Sequence, residues 1–226
     1  MSLGHSPSIV TSGLILCLDA ANVKSYPGSG TSWTDLSGNA NSGTLVNGPT
    51  YSSTNGGNLT FNGTNQYGST PLSLGGYTAY TLSAWIKTAT TNREILATWG
   101  INNIFELYIY QDKLMAYTYN SSNASTYRQS NKIITTGLWT YCVGIYQGST
   151  STLNTYVNGQ LDNGTLVGPA VPAALNSGAA TVVIGNVNSG SFYFNGSMGE
   201  IKIYNRALSA TEVAQNFNAL RGRYGL

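Results

Sequence analysis

Charge is scarce in this chain. Lys, Arg, Asp and Glu make up 8% of its 226 residues, against roughly 25% in an average soluble domain. The formal net charge is +2 and no run of Lys or Arg occurs, which excludes a nucleic-acid surface. Histidine is rarer still. His5, the sole one, stands in an N-terminal stretch expected to be loosely held, so no Ser-His-Asp or Cys-His arrangement can be built around a rigid base. The pieces rich in glycine, such as GSG at 28–30, lack a phosphate-cradling G-x-x-x-x-G-K-[ST] pattern. Long apolar runs are missing too. The GLILCLDA run at 13–20 is about half the length of a membrane span and lacks the flanks of an export signal, so neither membrane insertion nor export by a signal peptide is expected.

Aromatic residues, in contrast, are abundant: 16 Tyr, 4 Trp and 5 Phe. Such a composition excludes disorder, which goes with few aromatics and high net charge. Short runs of β-branched, aromatic and aliphatic residues recur between Gly, Asn, Pro and Ser, among them NLTFNG, YTLSAWIKT, EILATWG, TYCVGIYQG, ATVVIGN and GEIKIYN. This spacing predicts about ten strands in an all-β, two-sheet antiparallel jelly-roll sandwich. The division expected is an N-terminal arm over 1–12 and a single domain over 13–226.

Two hairpins are marked. Asn158-Gly159 has the residues of a type I′ turn, pairing 153–157 with 160–162. In IFELYIYQDKLMAYTYN the turn is read at Gln111-Asp112-Lys113. Alternation puts Phe105, Leu107 and Ile109 on one face and Glu106, Tyr108 and Tyr110 on the other, with Met115, Tyr117 and Tyr119 beside those tyrosines. One helix is predicted near the C-terminus. Ser209 and Glu212 form a capping box, Val213, Phe217 and Leu220 recur at helical spacing, and Gly222 is placed to stop it.

Cys17 and Cys142 each lie inside an apolar run, the setting of free buried thiols, with a disulfide as the alternative. Six Asn-x-Ser/Thr sequons begin at Asn58, Asn62, Asn120, Asn123, Asn163 and Asn195; in a chain so rich in these residues they arise readily by chance and do not establish glycosylation.

Taken as an ordered set, GLILCLDAAN, WTDLSGN at 33–39, SGTLVNGPTY, LTFNGTNQY, YTLSAWIKT, LWTYCVGIY, TYVNGQL and FNGSMGEIKIYNRALSATEV resemble the laminin-G-like jelly-roll module of the concanavalin A-like lectin and glucanase superfamily. The wording is most similar to stand-alone versions among structural proteins of tailed phages. The resemblance implies binding of glycans or proteins, or a structural role; fold alone does not choose between them.

Glucanases of this superfamily carry alternating carboxylates such as E-x-D-x-E. None of the eight carboxylates here forms that pattern, and Glu106 is followed by Tyr108 and Tyr110, so it reads as an ordinary strand-surface acid and no catalytic residue is assigned. Some relatives hold calcium, which takes carboxylate, amide and carbonyl oxygens. The resemblance implies Asp19, Asp35, Asn39 and Glu200 as candidate ligands. Many relatives have I-D-E where this chain has Met198-Gly199-Glu200, and Asp35 reads equally as the cap of the turn it begins.

Sugars present apolar C–H faces and a rim of hydroxyls, so aromatic plates beside amides suit them. Tyr108, Tyr110, Tyr117 and Tyr119, with Asn120 and Tyr127 beyond, form such a platform, although cross-strand aromatics also stabilise sheets without a ligand. Trp85 and Trp139 read as packing residues, and Trp99 as an exposed contact in a loop. The expectation is a non-catalytic carbohydrate-binding or adhesion module, binding a glycan or cell-surface polysaccharide from a virion surface or a comparable extracellular assembly. The alternative is a decoration or fibre protein that contacts virion structural proteins, or copies of itself as a homo-oligomer; a glycoside hydrolase ranks below both.

Overall fold

The computed structural model describes residues 7–100, 104–178, 180–187 and 192–226, without the side chains of 98–100. His5 and the side chain of Trp99 lie outside the described residues. In chain order the strands are β1 Leu14–Asp19, β2 Ser32–Trp33, β3 Gly43–Val46, β4 Thr50–Ser52, β5 Asn58–Asn62, β6 Tyr67–Ser73, β7 Ala79–Thr88, β8 Arg93–Gly100 and β9 Phe105–Tyr110. They continue as β10 Lys113–Tyr119, β11 Ser125–Ile133, β12 Thr140–Gln147, β13 Thr152–Val157, β14 Gln160–Leu161, β15 Leu166–Val167, β16 Ala180–Ile184 and β17 Asn195–Tyr204, followed by helix α1, Ala210–Leu220.

Two antiparallel sheets result. The first runs β14-β13-β12-β7-β17-β5-β4, with β1 beside the second half of β17. The second runs β15-β11-β10-β9-β8-β16-β6-β3-β2. Between them lies a core that includes Leu16, Leu18, Leu82, Ile86, Ile201 and Ile203 from the first sheet and Leu96, Phe105, Leu107, Ile109, Leu114 and Ile184 from the second. Each such side chain contributes about 1.5–3 kcal/mol on leaving water. The sheets approach so closely at Gly144 that an added Cβ would stand 3.1 Å from Leu107 Cδ1 and 3.2 Å from Ala116 Cβ.

Both hairpins form, with one change. Asn158 and Gly159 have φ of 53° and 78°, the paired positive values of a type I′ turn. The Gln111-Asp112 turn also has two positive values, 49° and 62°, so it is a two-residue turn, and Lys113 already pairs with Tyr110 in the ladder. Cys17 and Cys142 are free and buried, on strands separated by β17 and β7.

A second core covers the outward face of the first sheet. Helix α1 begins with the predicted reciprocal Ser209–Glu212 cap and sets Val213, Phe217 and Leu220 over Trp85, Tyr141, Tyr204 and Tyr156. The helix does not stop at Gly222. A 3-10 turn over Arg221–Tyr224 follows it and ends at Gly225, φ 77°, because Tyr224 is held in place, stacked on Trp85 at 4.2 Å. The described part of the N-terminal arm docks here: Asn216 accepts from the Val10 amide at 2.8 Å and donates to the Tyr204 hydroxyl at 3.0 Å. Trp139 is also packed, its Nε1 donating to Asn55.

Candidate functional site

The outward face of the second sheet carries no helix, and there the hairpin β9–β10 presents its tyrosines. Antiparallel register pairs Tyr108 with Met115, Glu106 with Tyr117, and Tyr117 with Tyr127 of β11. The Tyr117 and Tyr127 rings stack at 4.7 Å, Tyr117 and Tyr119 at 6.4 Å, and Tyr108 and Tyr110 at 6.0 Å. Tyr108, Tyr117 and Tyr119 line a cavity of about 350 Å³ together with Glu94, Glu106, Val187 and Phe192, within the size range of small-ligand sites. Phe192 stands edge-on to Tyr108, centroids 5.9 Å apart.

The seven residues predicted as ligand contacts are thus not all equivalent. Tyr110 and Tyr127 buttress the cavity from either side by stacking. Asn120 serves its own loop: Oδ1 accepts from the amides of Ser122 and Ala124, at 3.0 and 2.9 Å. Trp99 is not in a loop: its backbone belongs to β8 and pairs with Thr181 of β16, while its side chain falls outside the described ones.

The carboxylates of the pocket differ from the sequence expectation. Glu106 is not an ordinary surface acid: it is half-buried and accepts a hydrogen bond from the Tyr119 hydroxyl at 2.8 Å. Beside it is Glu94, which the sequence did not single out. Glu94 pairs with Tyr108 in the β8–β9 ladder, is 1% exposed, and has an Oε1 with no hydrogen-bond partner among the described residues. Burial, then the neighbouring Glu106 charge, pushes the Glu94 carboxyl well up from the ordinary range. Burial also raises Glu106, with the Tyr119 hydroxyl pulling the other way. Tyr108 is pushed up to about 12 by burial first and then by the Glu94 charge.

The four residues expected to hold calcium are engaged internally. Asp35 Oδ1 accepts from the Cys17 and Ser37 amides, and Oδ2 from the Ser37 hydroxyl and the Asn41 amide. It staples the WTDLSGN turns to β1. Asn39 donates its side-chain amide to the Leu14 carbonyl at 3.1 Å. Asp19 is paired with Arg223 at 2.8 Å and Glu200 with the buried Lys202. An added Cβ at Gly199, where relatives have Asp, would stand 2.1 Å from the Tyr224 hydroxyl, so the C-terminal turn fills that place. No three His, Cys, Asp or Glu among the described residues come together as a metal group. A calcium ion does not fit these four residues as they are arranged.

No curated protein matches the chain by sequence. Among solved structures, the binding domain of Paraclostridial Mosquitocidal Protein 1 superposes with a TM-score of 0.70 at 16% identity, over 92% of this chain and 52% of that one. Domain 4 of AbnA, a GH43 extracellular arabinanase from Geobacillus stearothermophilus solved with arabinotriose, gives 0.68 at 19% identity over 90% of this chain and 97% of its own. The binding domain of Botulinum neurotoxin DC in complex with SialylT gives 0.69 at 14%, over 93% and 52%. The chain spans about half the length of the toxin domains it matches. At these identities the likeness is one of fold. The laminin G model, described as Concanavalin A-like lectin/glucanases superfamily, matches residues 61–214, more than half of the chain, and the chain belongs to that superfamily as a laminin-G-like jelly roll.

Proposed function

We propose that the chain is a non-catalytic carbohydrate-recognition module whose ligand seat is the tyrosine cavity on the second sheet. The observation that carries this reading is the convergence of Tyr108, Tyr117, Tyr119 and Phe192 on one open cavity with acceptor oxygens in it. Aromatic faces take the C–H side of a sugar, while Glu106, Glu94 and the phenols meet its hydroxyls. The similar domain solved with arabinotriose is in keeping with a sugar ligand. Display in many copies, on a virion surface or a comparable assembly, strengthens weak single sites. Glycan-array and whole-cell binding by purified protein, lost in Tyr117→Ala, is the expected result. Silence in both assays, together with tight binding to a capsid or tail protein, replaces this reading with that of a decoration protein.

Glycoside hydrolysis is the second reading, and the Glu94–Glu106 pair is what favours it. A working pair needs environments that drive the two carboxyls apart, one held protonated and one ionised. Here burial displaces both upward, so recognition is preferred. Reducing-sugar release by the wild type that Glu94→Gln abolishes would reverse that preference.

A further inference from the structure

Among the described residues, no lysine or arginine forms an ion pair with either acid of the tyrosine cavity. Asp19, Glu200 and Glu212 each pair with a lysine or arginine, and buried Asp35 and Asp162 accept from backbone amides. For Glu94 and Glu106 no ion pair exists among the described residues. Arg93, next in the chain, directs Nη1 to the Asn92 carbonyl at 3.0 Å instead. Glu94 pairs across the ladder with Tyr108 and Glu106 lies two residues before it, a diagonal relation that sets such residues roughly 7–8 Å apart. The unpartnered Glu94 Oε1 is buried and belongs to the cavity wall.

Glu94 is already buried, and a neutral ligand closing over Glu106 would compensate neither acid in its ionised form, which is costly. An ammonium group would compensate both. The faces of Tyr108, Tyr117 and Tyr119 add to the attraction, since aromatic rings draw cations to their faces. We infer that the preferred ligand of this cavity is an amino sugar with a free, protonated amine, its ammonium set between Glu94 and Glu106 and its ring against the tyrosines. The inference rests on the reading of the cavity as a carbohydrate seat and names the substrate class within it.

The test compares a glucosamine tetrasaccharide with its N-acetylated counterpart, because the two offer the same rings and differ in the charge of the amine. Calorimetric titration of the whole chain near neutral pH, where the amino sugar still carries ammonium groups and the raised cavity acids can ionise beside one, should give binding of the free amine at least about tenfold tighter, the scale of one charge-assisted hydrogen bond. Glu94→Gln and Glu106→Gln should each erase that preference. Glu106 is the less buried of the two, so its variant gives the answer if Glu94→Gln does not fold. Equal or tighter binding of the acetylated sugar overturns the inference, as does a preference that survives both substitutions. Should a neutral array glycan bind, be lost in Tyr117→Ala and be kept in Glu94→Gln, the carbohydrate seat stands and the amine assignment falls. If no glycan of either kind binds, both fall.

Discussion

The outward face of the first sheet carries Trp85, Tyr141, Tyr156 and Tyr204 beneath helix α1, with Glu200 and Lys202 paired among them. Its counterpart on the second sheet carries Tyr108, Tyr117, Tyr119 and Tyr127 with Glu94 and Glu106, and lies under no helix. Both faces thus combine aromatic plates with buried acid. They differ in completion. On the first, Glu200 has its cation in Lys202 and the rings are capped by Phe217 and Tyr224; on the second, no ion pair joins the acids to a cation among the described residues, and the rings line an open cavity. The same residue types make a core where the chain supplies the missing groups itself and line an open cavity where it does not.

The largest expected effect lies on the completed face. Lys202 is fully buried, and Lys202→Met leaves Glu200 without its partner, which should cost about 3–5 kcal/mol in denaturant unfolding at neutral pH. Adding Glu200→Gln should recover most of that loss, since removing both members of a buried pair is often near neutral. If the single variant unfolds at the wild-type midpoint, the internal pairing of this face is not what separates it from the other.

Much of this contrast could be read from the sequence, and the part that could not has physical causes. Alternation in IFELYIY and KLMAYTY placed the tyrosines together, and the Ser209–Glu212 box placed the helix, because both patterns are local. Glu94 was hidden by a register shift between Glu94 and Leu96: Glu94 faces outward while both Ile95 and Leu96 are buried in the core, so a strict period of two misplaces it. Phe192 reaches the cavity from a segment far along the chain that has no periodicity at all. Arg223 and Tyr224, past the predicted helix stop, fill the region where relatives suggested a metal, and no local signal announces a contact with Asp19 across 204 residues.

Buried Glu200 shares the upward shift of Glu94 and Glu106, but the capping acid of the helix over the first sheet should respond to acid in the opposite sense from the cavity pair. For Glu94 and Glu106 the folded state raises proton affinity, so their contribution to stability is full below the ordinary value of 4.5 and is lost as pH climbs through the raised folded values. Glu212 runs the other way. Arg206 first, and Ser209 as well, lower it to about 2, so its contribution is present above 4.5 and disappears as pH falls towards 2. Unfolding midpoints across roughly pH 3–8 should therefore decline on the neutral side, less steeply in Glu94→Gln, while Glu212→Gln should flatten only the acid side. Parallel curves for the wild type and Glu94→Gln would mean that the cavity acid is already compensated.

The smallest effect is the most direct comparison of ring with ring. Trp85 is fully buried between Phe217, Tyr141 and Tyr224, and truncating such a side chain typically costs about 3–5 kcal/mol. Tyr110 is 40% exposed and stacks on Tyr108, two residues before it on the same strand, so Tyr110→Ala should lower stability by only about 0.5 kcal/mol, the scale of a surface substitution. A buttress of the cavity can still matter for affinity, because Tyr108 loses the ring that fixes its orientation. Weaker ligand binding with an almost unchanged unfolding midpoint is the expected pattern. A loss of stability approaching that of a core aromatic would place Tyr110 with the completed face and leave the open one without its distinguishing property.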